Sequence, residues 1–101
     1  MICFLAMITR MDILAEVIDW FDSPGDSPFG LTYDGKYLWN IDGYSSTIYK
    51  LDTEGTVVDS FSFPEIGLTG LTWDGQYLWC SNTVVDKIYK LDTEGNINKV
   101  I

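Results

Sequence analysis

The sequence contains no histidine and only two cysteines, Cys3 and Cys80, among its 101 residues. Without histidine, the side chain that most often serves as a general base near neutral pH is missing, and so is the commonest zinc ligand. Two cysteines do not make a disulfide framework. Basic residues are scarce as well. Six Lys and Arg stand against 15 Asp and Glu, for a net charge of −9. Such a chain is repelled by phosphate backbones and by anionic lipid surfaces, so neither a nucleic acid nor a membrane is expected as partner. The apolar N-terminal run, Met1 to Ile8, is too short to span a bilayer. No basic residue precedes it and no clear small-residue cleavage site follows it. It makes a poor signal peptide, which favours the cytoplasm, and Met7 and Met11 are alternative starts. No phosphate loop, dinucleotide fingerprint or Gly-x-Ser-x-Gly elbow occurs. The carboxylates cluster only in turn-like segments, and no metal or other cofactor is expected.

What the sequence does contain is a repeat. Shifted by 40 residues, it aligns with itself without a gap. Gly30-Leu-Thr-Tyr-Asp-Gly-Lys-Tyr-Leu-Trp39 matches Gly70-Leu-Thr-Trp-Asp-Gly-Gln-Tyr-Leu-Trp79, and Ile48-Tyr-Lys-Leu-Asp-Thr-Glu-Gly55 matches Ile88 to Gly95. Residues 30–61 and 70–101 share 16 identities in 32 positions, which marks a duplication. A third, partial copy lies upstream: Phe21 falls under Phe61, and Pro24 under Pro64.

Each repeat reads as four short strands rich in Tyr, Trp, Thr, Val and Ile. In the first full copy these are expected at 30–33, 36–40, 47–51 and 56–61. Asp34-Gly35 is expected as a two-residue hairpin turn with positive φ at both central positions. Asp52-Thr-Glu-Gly55 forms the later turn, and Pro64 breaks the pattern. Four antiparallel strands in about 40 residues is the spacing of a β-propeller blade. The middle strands carry bulk on both faces, as blades sandwiched between neighbours require. Leu38, Trp39, Ile48, Tyr49 and Leu51, with their counterparts Leu78, Trp79, Ile88, Tyr89 and Leu91, are the expected inter-blade core. The expected architecture is therefore all-β, with two full blades plus one extra outer strand. Residues 1–11 form an apolar extension, 12–29 the outer strand and linker of a partial blade, 30–69 blade 1 and 70–101 blade 2.

The quoted segments resemble blades of the broad YVTN/NHL-like superfamily of propellers, above all repeats of glutamine-cyclotransferase-like and virginiamycin-lyase-like proteins. The resemblance covers about residues 12–101 and implies a ring of six or seven blades. This chain departs from it by holding two. The cyclotransferase family's catalytic region is absent. So is the histidine that lyase-like relatives use.

Two blades leave an aromatic-rich face open on either side, which implies association. A homo-oligomer is expected, with three chains giving six blades or four giving eight. Residues 13–21 would supply an outermost strand by exchange, in competition with Asn96 to Ile101. Function is expected at the loops that differ between copies, Asn40 to Ser46 and Cys80 to Asp86. The candidate ligand-binding residues are Asn40, Asp42, Tyr44, Asn82 and Asp86, although ordinary turn chemistry also accounts for polar residues there. No catalytic residue is nominated. The leading expectation is a non-enzymatic binding or scaffold module with a protein or small-molecule partner. The alternative is a fragment or degenerate copy of a lyase- or cyclotransferase-type propeller enzyme.

Overall fold

A computed structural model describes residues 16–101. Among these residues every regular element is a strand. β1 (Pro28–Tyr33), β2 (Leu38–Asp42), β3 (Thr47–Leu51) and β4 (Val57–Ser62) form one antiparallel sheet in sequential order. β5 (Leu68–Trp73), β6 (Leu78–Asn82), β7 (Lys87–Leu91) and β8 (Ile97–Val100) form a second. The two meanders are the two blades expected from the repeat. Their registers coincide after a shift of 40: Trp39 faces Lys50 as Trp79 faces Lys90, and Asn40 faces Tyr49 as Cys80 faces Tyr89.

The hairpin after β1 differs from expectation. Residues 34–37 connect β1 to β2, and positive φ falls on Gly35 alone, at 102°. The Asp34 side chain explains the longer turn. Its Oδ1 accepts the amides of Lys36 and Tyr37 at 2.9 and 2.8 Å, taking the Tyr37 amide from the backbone, while the Asp34 amide still donates to the Tyr37 carbonyl at 3.0 Å. Asp74 builds the same turn.

Side chains alternate across a strand, so each sheet has two faces, and the registers sort the residues. One face of each blade is called here the head and the other the tail. The tail of the first blade carries Trp39, Ile41, Ile48 and Phe61. The head of the second carries Leu71, Trp73, Leu78, Cys80, Tyr89 and Leu91. These two faces form one core, closed at its edge by Phe63 from the inter-blade segment. Phe63 meets Tyr89 edge-on, with ring centroids 4.7 Å apart, and the Tyr89 hydroxyl donates to Glu65 at 2.9 Å.

The first strands of the two blades run side by side. A Cβ on Gly30 would lie 2.7 Å from the Leu71 nitrogen and the Thr69 oxygen, so only glycine allows β1 and β5 to approach so closely.

The expected extra outer strand lies partly outside the described residues, and 16–21 make no sheet pairing within this chain. Its alignment is nevertheless visible in the packing. Phe21 lies over Gly55 as Phe61 lies over Gly95; in each case a Cβ on the glycine would come within 2.6 Å of the ring. Phe21 therefore occupies the place of a fourth-strand phenylalanine from a preceding blade.

Candidate functional site

The meander places turns 34–37, 52–56 and their repeats at one end of the blades. The β2–β3 loop, the β6–β7 loop and the segments entering each blade lie at the other. The candidate residues gather toward this second end, but they do not share one role.

Asp42 closes β2 and ties its loop to the segment entering the blade. Oδ2 accepts the Ser45 hydroxyl at 2.6 Å, and Oδ1 accepts the Ser27 amide at 3.0 Å. These bonds, the Ser45 hydroxyl foremost, hold its carboxyl below the usual carboxylate range. Asn82 repeats the clasp with an amide. Its Nδ2 donates to the Ile66 carbonyl at 2.9 Å, and its Oδ1 accepts the amides of Val84 and Val85 at 2.9 and 3.2 Å. Both side chains are buried. They shape the loops that would contact a ligand and are themselves largely occupied.

Tyr44 stands at the loop tip and is 83% exposed. Asp86 is exposed and adopts φ of 55°, like its counterpart Ser46 at 51°. Asn40 lies apart from these, within β2 on the head of the first blade. Only 6% of it is exposed; its Nδ2 donates to the Gly30 carbonyl at 3.0 Å, while Oδ1 is buried without a partner.

The loop end also presents apolar residues that the sequence reading passed over. Phe29, Ile66 and Val84 are exposed there together with Tyr44. The Phe29 ring lies against Gly43, and a Cβ on Gly67 would meet Val84 at 2.6 Å. The signal was available in the alignment: Phe29 stands where the second copy has Thr69, and Ile66 where the partial copy has Asp26.

The opposite end is built for rigidity. The Trp39 indole donates to Asp34 Oδ2 at 2.8 Å, and Trp79 to Asp74 at 2.6 Å. The Lys50 ammonium sits 4.3 Å from the centre of the Tyr37 ring, and Lys90 sits 4.0 Å from Tyr77. Partial burial pushes the Asp34 carboxyl up. The amide of Tyr37, the Trp39 indole, the Lys36 amide and the Lys50 charge together outweigh it, and the net direction is down. Asp74 and Asp92 are also lowered, by the Trp79 indole and the Asn96 amide respectively as leading causes. Carboxylates shifted this way are poor proton donors near neutral pH. Burial pushes the Cys80 thiol up to about 12, so it packs as an apolar group. Among the described residues no three metal-ligating side chains converge, and no helix is long and apolar enough to cross a membrane.

Two grooves lie on the outward sheet faces. One, on the head of the first blade, is lined by Phe21, Pro24, Leu31, Leu38, Asn40 and Leu51. The other, on the tail of the second, is lined by Gly70, Thr72, Trp79, Ser81 and Ile88 among others. No protein-family model matches the sequence, and no curated protein matches it.

Proposed function

We propose that this chain is a non-enzymatic binding and scaffold module of YVTN/NHL-like propeller type, completed by homo-oligomerisation. Three copies would supply six blades and four would supply eight. A protein or small-molecule partner binds at the end carrying the β2–β3 and β6–β7 loops. The observation that supports association is a difference in burial between equivalent residues. Ile48, on the tail of the first blade, is 0% exposed, whereas Ile88, at the same register of the second, is 46% exposed. An apolar position built for an inter-blade core is left open to water, at a cost that association removes.

The reading of the loop end rests on Phe29, Tyr44, Ile66 and Val84, exposed on buried, hydrogen-bonded loop bases. Apolar and aromatic side chains on a rigid base lose little entropy on binding. Asp42 and Asn82 serve as loop supports in this reading, Tyr44 and Asp86 as contacts.

The test is solution mass by size-exclusion chromatography with light scattering, over a dilution series. A discrete trimer or tetramer supports the proposal. A monomer with native circular dichroism overturns it. That second outcome favours further blades of the same type in a longer chain, which the open faces also fit. For the loop end, Tyr44→Ser with Val84→Ser should leave the mass unchanged while reducing the fluorescence enhancement of an apolar dye. An unchanged enhancement removes this end as the binding surface.

A further inference from the structure

Residues 16–21 have the sequence and the local geometry of a fourth strand but no third strand to pair with. Glu16-Val-Ile-Asp-Trp-Phe21 falls under Thr56-Val-Val-Asp-Ser-Phe61 and shares its Val, Asp and Phe. Asn96-Ile-Asn-Lys-Val-Ile101, which holds the fourth place in the second blade, shares none of them. Asp19 Oδ1 accepts the Trp20 amide at 2.8 Å, as Asp59 Oδ1 accepts the Ser60 amide at 2.8 Å. Phe21 rests on Gly55 as Phe61 rests on Gly95. The first strand of the next blade begins seven positions later in both cases, from 21 to 28 and from 61 to 68. The segment therefore stands where a preceding blade would place its fourth strand. Among the described residues no strand pairs with it, and Val17, Ile18 and Trp20 are exposed.

The second blade has the opposite mismatch, a third strand whose partner suits it poorly. In the first blade Lys50 on β3 faces Asp59 on β4; in the second, Lys90 on β7 faces Lys99 on β8. Facing side chains on an antiparallel pair start about 5 Å apart, so opposite charges attract there and like charges repel. A ring is missing as well. In the first blade Phe61 faces Ile48, and its ring centroid lies 6.1 Å from that of Trp39. In the second blade the residue bonded across from Ile88 is Ile101, which is exposed, so Trp79 lacks the aromatic neighbour that Trp39 has. The two residues that this strand lacks, an aspartate and a phenylalanine two positions apart, are Asp19 and Phe21 of the unpaired segment.

We infer that residues 16–21 of one copy replace β8 beside β7 of a second copy, setting Asp19 against Lys90 and Phe21 against Ile88 and Trp79. The inference rests on the homo-oligomer reading above and adds a strand exchange to it: β8 covers β7 in the free chain and is released when copies join. The backbone bonds to β7 are given up and remade with equivalent geometry, so they nearly cancel, and the side chains set the direction. A repelling lysine pair becomes an attracting one, and exposed Val17 and Phe21 gain a sheet to lie on. Trp20 takes the place of Val100, which is half exposed, so the larger ring meets solvent and no closed core.

Cross-linking between copies tests the pairing. In a Cys3→Ser background, Asp19→Cys chains are mixed with Lys90→Cys chains under mild oxidant. Facing residues of an antiparallel pair have Cα atoms about 5.5 Å apart at most, within reach of a disulfide. A covalent dimer is expected, with position 19 linked to position 90 in its peptide map. If the wild type is an oligomer and the mixture gives no such link, the strand exchange is overturned while the homo-oligomer reading stands. If the folded wild type is itself monomeric, both fall. Lys90 sits over the Tyr77 ring, so its loss also touches the blade itself, and a second measurement leaves β7 intact. Lys99→Asp gives β8 the charge that Lys90 attracts and should hold it in place. Association in the dilution series should weaken by about fivefold, and high salt should shrink the difference. Unchanged or tighter association overturns the release of β8.

Discussion

The Trp39 indole nitrogen donates to Asp34 Oδ2 at 2.8 Å, while the other oxygen of the same carboxylate holds the amides of Lys36 and Tyr37. One side chain thus fixes both the turn between the first two strands and the orientation of the largest buried ring. Asp34→Ala is expected to cost about 1–3 kcal/mol, the range for a buried donor left unsatisfied. Asp74→Ala should cost less, because Trp79 retains access to water where Trp39 has none. Urea unfolding of the two variants, fitted with a common m-value, gives the comparison directly.

Acid should weaken the fold in a defined window. Asp34, Asp42, Asp74 and Asp92 all have carboxyl pKa values lowered below 3.8 in the folded chain. Near and below that value the unfolded chain binds more protons than the folded one, so stability rises with pH through the window. The contribution is complete above about pH 5 and is lost as pH falls through the folded values. Unfolding free energy at pH 7, 5 and 3 should be level over the first interval and drop over the second. Asp34→Ala should reduce the drop. A drop that Asp34→Ala leaves unchanged would remove this turn as its origin.

The inter-blade segment contributes one large core side chain. Phe63 is buried and stacks edge-on with Tyr89. Its counterpart in the partial copy is Ser23, which sits beside the open head rather than in a closed core. Phe63→Ala should destabilise the pair of blades by about 3–5 kcal/mol. Tyr89→Phe, which removes only the bond to Glu65, should cost about 1 kcal/mol. Calorimetric midpoints of the two variants should rank in that order.

Gly30 and Gly70 occupy the same register but face different surroundings. Gly30→Ala places a methyl 2.7 Å from backbone atoms of β5 and should cost about 1–3 kcal/mol in the isolated chain, as overpacking does. Gly70→Ala meets only the Ser81 hydroxyl and should leave the monomer more stable than Gly30→Ala does. Chemical unfolding at a concentration below association separates the two. Equal losses would place the strain elsewhere than the β1–β5 approach.

Much of this architecture was legible in the residues. The spacing of 40, the alternation of Leu, Trp, Ile and Tyr, and the Asp-Gly and Asp-Thr-Glu-Gly turns located the strands to within about two residues. Duplication is what made this possible, since each copy tests the reading of the other. The turn at Asp34 departs from the two-residue expectation because turn statistics describe the backbone, and here a side chain takes the Lys36 and Tyr37 amides while the backbone keeps one bond, from the Asp34 amide to the Tyr37 carbonyl. Asp42 and Asn82 were singled out as variable polar loop residues. Their positions at strand ends, beside a chain segment that the sequence places some 15 residues away, make them clasps instead. Asn40 begins the divergent stretch and so reads as a loop residue, yet the register sets it within β2, where it is buried.

Local pattern and periodicity thus determined, without tertiary information, that the chain builds four-stranded blades, where their turns fall and part of the core between them, Trp39, Ile48, Leu78, Tyr89 and Leu91, but not Ile41, Phe63, Leu68 and Cys80. These depend on alternation and turn chemistry, which act over a few residues and are written twice. The tertiary structure alone decided which copy of each core residue is covered. Ile48 and Ile88 are followed by the same seven residues, and one is closed from water while the other is half open. Burial is a property of what stacks on a face, and no local pattern encodes the presence of the neighbour.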